Sequence, residues 1–179
     1  MTMKLSRSVL VFALLLAHTG CGYSLAGRGS FLPAYIQRIG VPVFENETAV
    51  FDLNRQVTER VRSEFIGRGK YTIVPDATGV DALLTGTIVS VTLTPVAFNT
   101  SQQATRYALV LTARVEFKDL RANKVLWSNP SMQYREEFPL DPSGVATDTT
   151  AFLGQDVNSR ERMANEFARA LVSAILEAF

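Results

Sequence analysis

The chain has 179 residues, of which 18 are basic and 17 acidic, with a single histidine and a single cysteine. Ser-His-Asp and Cys-His catalysis need an imidazole base, and zinc sites need His and Cys ligands, so one residue of each type leaves little material for such chemistry. The near balance of charge also argues against a nucleic-acid binder, which should carry a basic excess.

The first twenty residues have the three parts of a secretory signal peptide. Lys4 and Arg7 form a positive start, an uncharged and mostly apolar run follows at 9–17, and small residues precede Cys21. Nine helical residues span only about 14 Å against a hydrocarbon core of about 30 Å, so this run is too short to cross a membrane. We predict that 1–20 is a lipoprotein signal peptide and that Cys21 is the lipidated first residue of the mature protein.

The cleavage site fits a lipoprotein at Gly20 and Cys21 but departs from it at His18, where an apolar residue is expected. Several acyl chains would anchor the protein firmly, at about 0.8 kcal/mol per buried CH₂. An ordinary secreted protein cleaved elsewhere is the alternative. The mature chain has no histidine, with 16 basic and 17 acidic residues after loss of Lys4 and Arg7. We therefore predict no enzyme activity, no metal site and no cofactor.

The segment 21–34 is rich in Gly and Ser and predicts a lipidated tether, followed by a single domain over 35–179. Residues 36–44 mix β-branched and aromatic side chains and predict a strand. Pro42 lacks a backbone donor, which places this strand at an edge or leaves it paired on one side there.

The first helix is predicted from apolar residues spaced three and four apart on one face. These residues are Val50, Leu53, Val57, Val61 and Phe65. Gly67 and Gly69 are expected to end the helix, and 71–75 predicts a short strand.

Two long β segments are predicted over 82–98 and 105–120, because their apolar residues alternate with period two. The hairpin tip between them is 99–104. Since strands are usually much shorter than these, we expect breaks at Gly86, as a bulge, and at Pro95.

The chain ends in a strand, a loop and a second helix. The strand is predicted over 125–128 and 132–140, and Asn158 followed by Glu161 fits a capped helix start. The apolar face of this helix consists of Met163, Phe167, Leu171, Ala174, Ile175 and Ala178. The order predicts an α+β two-layer sandwich, with two amphipathic helices on one face of a mostly antiparallel sheet of four to five strands.

Two pairs of glutamates are candidates for acid-base chemistry. Glu136 and Glu137 are neighbours on a strand and should point to opposite faces, so they cannot flank one bond. Glu45 and Glu47 lie in a helix-entry loop without a second chemical signal. We interpret both pairs as solvated.

The outward face of the long hairpin is the stronger candidate for a binding surface. Its middle is small, neutral and partly apolar, and its ends are positive. The residues assigned to it are Ile88, Ser90, Thr92, Thr94, Arg106, Ala108, Val110, Thr112, Arg114 and Lys118. Such a face fits another protein's β surface, or a lipid with anionic head groups near Arg106. A Thr-rich solvated sheet face is the alternative.

Six segments in order resemble the LPS-assembly lipoprotein (LptE) family. They are CGYSLAGRGSFLP at 21–33, IGVPVFENET at 39–48, DALLTGTI at 81–88, RYALVLTARVEFKDL at 106–120, KVLWSN at 124–129 and EFARALVSAILEAF at 166–179. The resemblance implies two helices on a four-stranded sheet. It also implies an outer-membrane lipoprotein at the periplasmic face that plugs the LPS-translocon β-barrel, helps that barrel assemble and binds lipopolysaccharide.

The chain departs from some family members, which carry basic residues at the hairpin tip and in the loop before the last helix. Here the tip is uncharged, and 136–159 contains no Lys or Arg. Arg106 and Arg135 are the nearest substitutes, and with Val110, Thr112 and Arg114 they are the candidate contacts for lipopolysaccharide or the barrel.

A second resemblance gives the alternative function. The segment 41–48 followed by a helix is similar to periplasmic lipoproteins that activate cell-wall synthases or build secretion pores. Gly22, in place of an acidic residue after Cys21, suits sorting to the outer membrane on either interpretation. No nucleic-acid partner is expected.

Overall fold

The structure is a computed structural model that describes residues 32–68, 70–139, 152–153 and 157–178. The predicted signal peptide, Cys21 and most of the predicted tether lie outside the described residues. Leu32, near the end of that tether segment, is buried in the core.

The described residues contain two long helices and six strands. In chain order these are β1 (Arg38–Gly40), β2 (Glu45–Asn46), α1 (Leu53–Gly67), β3 (Thr72–Val74), β4 (Ala82–Phe98), β5 (Ala104–Asp119), β6 (Lys124–Pro139) and α2 (Val157–Leu176). The predicted α+β class is confirmed. The predicted first strand is divided into β1 and β2, which both pair with β4.

The sheet has the order β3-β1-β4-β5-β6, with β2 beside β4 further along the same edge as β1. The long strands β4, β5 and β6 are antiparallel, whereas β1 runs parallel to both β3 and β4. Because β1 and β2 share one position in the sheet, five strand positions are filled, in agreement with the predicted four to five.

Side chains of α1 form hydrogen bonds with the backbone of the segment between β1 and β2. The Thr58 hydroxyl accepts the N–H of Phe44 at 2.9 Å, and the Asn54 amide donates to the Phe44 carbonyl at 2.8 Å. Arg62 donates to the carbonyl of Val41 at 2.8 Å. Because buried backbone groups need hydrogen-bond partners, these three bonds also hold α1 against the sheet.

Both helices pack their apolar stripes on the same face of the sheet. The fully buried residues in this layer include Val57, Val61, Phe65, Leu84, Leu111, Phe117, Phe167 and Leu171. Burying one such side chain contributes roughly 1.5–3 kcal/mol. The helices are parallel to one another, because Arg60 contacts Glu161 near the start of α2 and Arg68 contacts Ser173 near its end.

The predicted bulge at Gly86 is wrong. Gly86 is in regular register with Val115, and the extra residue is Val89, between the pairs that Ile88 and Ser90 make with β5. A bulge reverses the alternation of side chains, so Ile88 faces the core with 0% exposure rather than lying on the outward face as predicted.

Two other irregularities lie near the prolines of the long strands. The break expected at Pro95 is confirmed as a shift of register between Pro95 and Ala97. The predicted interruption after Asn129 is also a shift of register, with Asn129 opposite Val115 and Met132 opposite Ala113, while β6 itself continues.

Gly86 is required for a close contact. A Cβ at this position would lie 2.5 Å from Cε2 of the Phe44 ring. We predict that Gly86→Ala destabilises the domain by about 1–3 kcal/mol, because Phe44 is buried and its ring must move. Urea unfolding monitored by circular dichroism measures the change.

Gly67→Ala is the matched control, since a Cβ at Gly67 meets no atom within 4 Å. It should leave stability unchanged or raise it by up to about 1 kcal/mol. Equal midpoints for the two variants would contradict the close contact at Gly86.

A hydrogen-bonded network closes the sheet at the end where the chain enters the domain. The Tyr35 hydroxyl donates to Asp119, and Arg121 pairs with Asp81 at 2.8 Å. Asp81 also accepts the N–H groups of Gln37 and Arg38. This network joins the residue that follows the predicted tether to β1, β4 and β5.

The two carboxylates of the network have lowered pKa values. The N–H groups of Arg38 and Gln37 hold the pKa of Asp81 below its usual value. Burial alone would raise the pKa of Asp119, but hydrogen bonds from Tyr35 and from the N–H groups of Ala122 and Arg121 lower it overall. A carboxylate with a lowered pKa stabilises the fold above its unfolded pKa of about 3.9, and this contribution is lost as pH falls through the folded pKa.

We therefore predict that Asp119→Asn lowers the urea midpoint of unfolding at pH 7. The difference in midpoint between this variant and the unsubstituted protein should become smaller below about pH 4. Urea titrations between pH 7 and pH 2.5 measure this. The exposed Asp76→Asn is the control and should leave the midpoint unchanged. If the difference in midpoint between Asp119→Asn and the unsubstituted protein stays constant across this pH range, the charge of Asp119 does not contribute to the stability of the fold.

Candidate functional site

The outward face of the sheet is the surface that the helices leave open. Its residues form rows across β4, β5 and β6. From the hairpin tip these rows are Ala97–Arg106–Pro139, Thr94–Ala108–Glu137, Thr92–Val110–Arg135, Ser90–Thr112–Gln133 and Thr87–Arg114. The structure thus brings all five predicted contact residues onto one continuous face.

The three predicted arginines differ in their partners. Arg135 is paired with Glu137 on the same strand at 2.9 Å. Arg106 and Arg114 are exposed and form no ion pair within the described part of the chain. Arg114 lines a groove of about 480 Å³ together with Glu45 and Glu116, whose charges oppose anion binding. Arg106 is therefore the strongest candidate on the hairpin-tip half of this face to donate hydrogen bonds to an anion.

The strip between Arg106 and Arg114 is small and lacks free charge. The two arginines are eight positions apart on β5, or about 27 Å at 3.4 Å per residue. Val110 and Thr112 are half-buried in this strip, and Ala108 is fully buried although it does not belong to the core cluster under the helices. A charge-free floor beside a free guanidinium suits a ligand that is apolar along its length and anionic at one end.

Sequence reasoning missed Phe98 as a candidate. Its side chain is 60% exposed, and Phe98 pairs with Ala104 at the tip, directly after the pair of Ala97 and Arg106. The sequence holds a signal that points to it, because no residue from 82 to 105 is charged. An exposed aromatic side chain in an uncharged segment favours contact with another apolar surface.

Asn99 organises the tip of the hairpin. Its side-chain oxygen accepts the N–H groups of Ser101 at 3.0 Å and Gln103 at 2.9 Å. The Asn99 N–H donates to the Gln103 carbonyl at 2.9 Å, and Gln102 has a left-handed backbone with φ 59°. These bonds hold Phe98 and Arg106 in place beside a closed turn.

The glutamates do not form an acid-base pair. Glu136 is paired with Arg162 of α2 at 2.8 Å, and Glu137 is paired with Arg135 on the other side of the sheet. They therefore point to opposite faces, as predicted. Within the described residues, no group of three or more His, Cys, Asp or Glu converges to hold a metal, and no helix has the length and hydrophobicity of a membrane span.

A family model described as LptE, lipopolysaccharide-assembly, matches residues 36–175. The chain belongs to this family. The match runs from the residues before β1 to the last turn of α2, and it confirms the resemblance drawn from the sequence segments. The LptE role in lipopolysaccharide assembly is therefore the functional setting in which the outward face must be interpreted.

Known structures support the fold at low identity. Lipoprotein B from Nitrosomonas europaea has a TM-score of 0.50 at 16% identity, covering 87% of this chain and 88% of that chain. Rare lipoprotein B from Shewanella oneidensis has a TM-score of 0.47 at 16% identity, covering 77% of this chain and 96% of that chain. The PelC dodecamer from Paraburkholderia phytofirmans has a TM-score of 0.45 at 14% identity, covering 80% of this chain and 89% of that chain. Of these three structures, the one from Nitrosomonas europaea supports the fold. No curated protein matches the chain.

Proposed function

We propose that this LptE family member is a non-enzymatic lipoprotein of the outer membrane, anchored through Cys21 and exposed to the periplasm. In this proposal it plugs the LPS-translocon β-barrel, helps that barrel assemble and binds lipopolysaccharide on its outward face. The proposal is carried by the outward face, where the charges of Arg135 and Glu137 neutralise each other and Arg106 forms no ion pair among the described residues, in a chain that belongs to an LPS-assembly family.

Lipopolysaccharide has the chemistry that this face would recognise. Its lipid part joins acyl chains to phosphate groups, and a guanidinium binds phosphate through paired, charge-assisted hydrogen bonds. Arg106 supplies that group, while the exposed ring of Phe98 near the same hairpin tip offers apolar contact.

The shape of the domain suits a plug. Its longest strand has 17 residues, which corresponds to about 56 Å at 3.3 Å per residue, and five strand positions span about 19 Å at 4.8 Å per gap. A domain of this size fits only inside a large barrel, of the class whose lumen is occupied by a plug. The half-buried, neutral middle of the outward face would lie against the inner wall.

Co-purification tests the partner. Lipoprotein isolated from membranes should carry a large outer-membrane β-barrel with it, and mass spectrometry of its N-terminus should show acyl chains on Cys21. Recovery of a cell-wall synthase or of a homo-oligomeric ring in place of a barrel would overturn the proposal and favour an adaptor.

The outward face can be tested by placing charge in its middle. We predict that Val110→Glu or Thr112→Lys leaves the isolated domain folded, because these side chains are only half-buried and face away from the helices. The same variants should reduce recovery of the barrel about tenfold or more, since a buried unpaired charge at an interface costs several kcal/mol.

Thr72→Lys, on the exposed side of the short edge strand β3, is the control and should retain the barrel. An undiminished complex with Val110→Glu would show that the outward face is merely solvated.

A separate prediction concerns lipopolysaccharide. Arg106→Gln should weaken its binding by about 10- to 100-fold, the equivalent of one or two charge-assisted hydrogen bonds. Arg135→Gln should have a smaller effect, because Glu137 already neutralises Arg135. Titration of purified lipopolysaccharide into each variant measures the change, with Arg169→Gln on α2 as the control. Equal losses in all three would indicate non-specific attraction to a cation.

A further inference from the structure

The end of the sheet opposite the hairpin tip has a different chemistry. We call it the tether end, because Tyr35 lies there directly after the predicted tether. Its strand termini are aligned by the register, which pairs Arg38 with Thr72, Ile39 with Ala82, and Asp119 with both Ala82 and Lys124. Five neighbouring strand positions make a row about 19 Å wide.

Cations are concentrated along this row. They are Arg38, Lys70, Lys118, Arg121 and Lys124. Arg121 is paired with Asp81, and the other four form no ion pair among the described residues. Lys118 is half-buried and the rest are exposed.

The acidic residues nearby offset this charge only in part. Asp81 and Asp119 are buried and accept hydrogen bonds from backbone N–H groups and from Tyr35. Glu177 is exposed one turn beyond Ser173, which Arg68 contacts at the end of α1. Glu116 is also exposed, two residues before Lys118 on β5. Four cations without an ion pair among the described residues thus face two exposed carboxylates, and the charge presented to solvent is mainly positive.

Apolar side chains are exposed among these cations. Leu120 is 37% exposed, Val125 43% and Tyr35 39%. Val125 is opposite Lys118 in the register, Leu120 adjoins Arg121, and the Arg121 guanidinium lies 5.5 Å from the centre of the Tyr35 ring. Basic groups around exposed aliphatic and aromatic side chains are typical of surfaces that lie in a membrane interface.

The basic character of the tether end is local. The whole chain has a formal net charge of only +1, and 82–105 carries no charge at all. General basicity therefore does not explain the row of cations.

We propose that the tether end is a docking surface for a bilayer that carries anionic lipid head groups. Lys70, Lys118 and Lys124 would contact the head groups, and Leu120 and Val125 would enter the boundary with the acyl chains. The 11 residues from Cys21 to the residue before the buried Leu32 can reach at most about 40 Å, so an anchor at Cys21 would keep this surface close to the membrane. Anchor and surface would then reinforce one another through effective concentration.

This surface lies at the opposite end of the hairpin from Arg106, and its binding to a bilayer does not depend on the function proposed for the outward face. The test uses the mature chain 21–179 with Cys21→Ser, so that acyl chains do not contribute to binding. The core consists of residues from Leu32 onward and is retained in this protein. Co-sedimentation measures its partition onto phosphatidylcholine vesicles with and without about one third phosphatidylglycerol.

The protein should bind the anionic vesicles, should not bind the neutral ones, and should dissociate in high salt. The variant Lys70→Gln with Lys124→Gln, two exposed lysines outside the outward-face residues, should lower the partition coefficient about fivefold per lysine. The matched control is Arg106→Gln with Arg135→Gln, which removes the same charge near the hairpin tip. This control should change the partition coefficient less than twofold. Leu120→Ser should also weaken binding, which a purely electrostatic contact would not show.

Absence of binding to anionic vesicles would overturn the proposal. Equal losses in the lysine pair and the arginine pair would also overturn it, because attraction would then be diffuse. Loss of a co-purifying protein with unchanged vesicle binding would identify a protein contact in its place. The lysine pair should retain the barrel and lipopolysaccharide, so failure here is distinguishable from failure of the proposed function.

Discussion

The organisation of this protein depends on the burial of one side of a single sheet. The apolar stripes of α1 and α2 both pack on the inward residues of β4, β5 and β6, and the two helices run parallel in one layer. Period-two alternation along a strand sends every second side chain to the opposite surface. One face is therefore closed by the core, and the other is left open along the full length of the hairpin.

Packing around the interruption between β1 and β2 decides which residues reach the open face. Phe44 lies against Gly86, and its backbone is bound by Thr58 and Asn54 of α1. Next to this contact, Val89 is the extra residue that turns Ile88 inward and Ser90 outward. That bulge sets the alignment of β4 with β5 in the rows of the outward face from Ser90 to the hairpin tip.

The two ends of the hairpin have opposite character. The tip presents Phe98 beside Arg106 on a turn closed by Asn99, in a segment without charge before residue 106. The tether end holds buried carboxylates within a row of cations. A domain with a neutral, amphiphilic tip and a basic end is polarised along its length, which suits a protein that would meet a membrane surface at one end and an amphiphile at the other.

The sequence by itself determined the elements and the family. Helix stripes such as Val57, Val61 and Phe65, and the alternation along β5, depend on local periodicity, which a single segment displays in full. Alternation along β5 also predicted that Arg106, Val110, Thr112 and Arg114 share one face, and the register of β6 on β5 in the structure adds Arg135 to it. Tertiary structure alone decided the bulge at Val89, the inward position of Ile88 and the pairing that sets Arg135 apart from Arg106. The bulge and the position of Ile88 depend on how β4 pairs with strands distant from it in the chain, and such pairing leaves no period in the sequence. The Arg135–Glu137 pair joins two residues of one strand, and it is decided by side-chain conformations that a sequence pattern does not record.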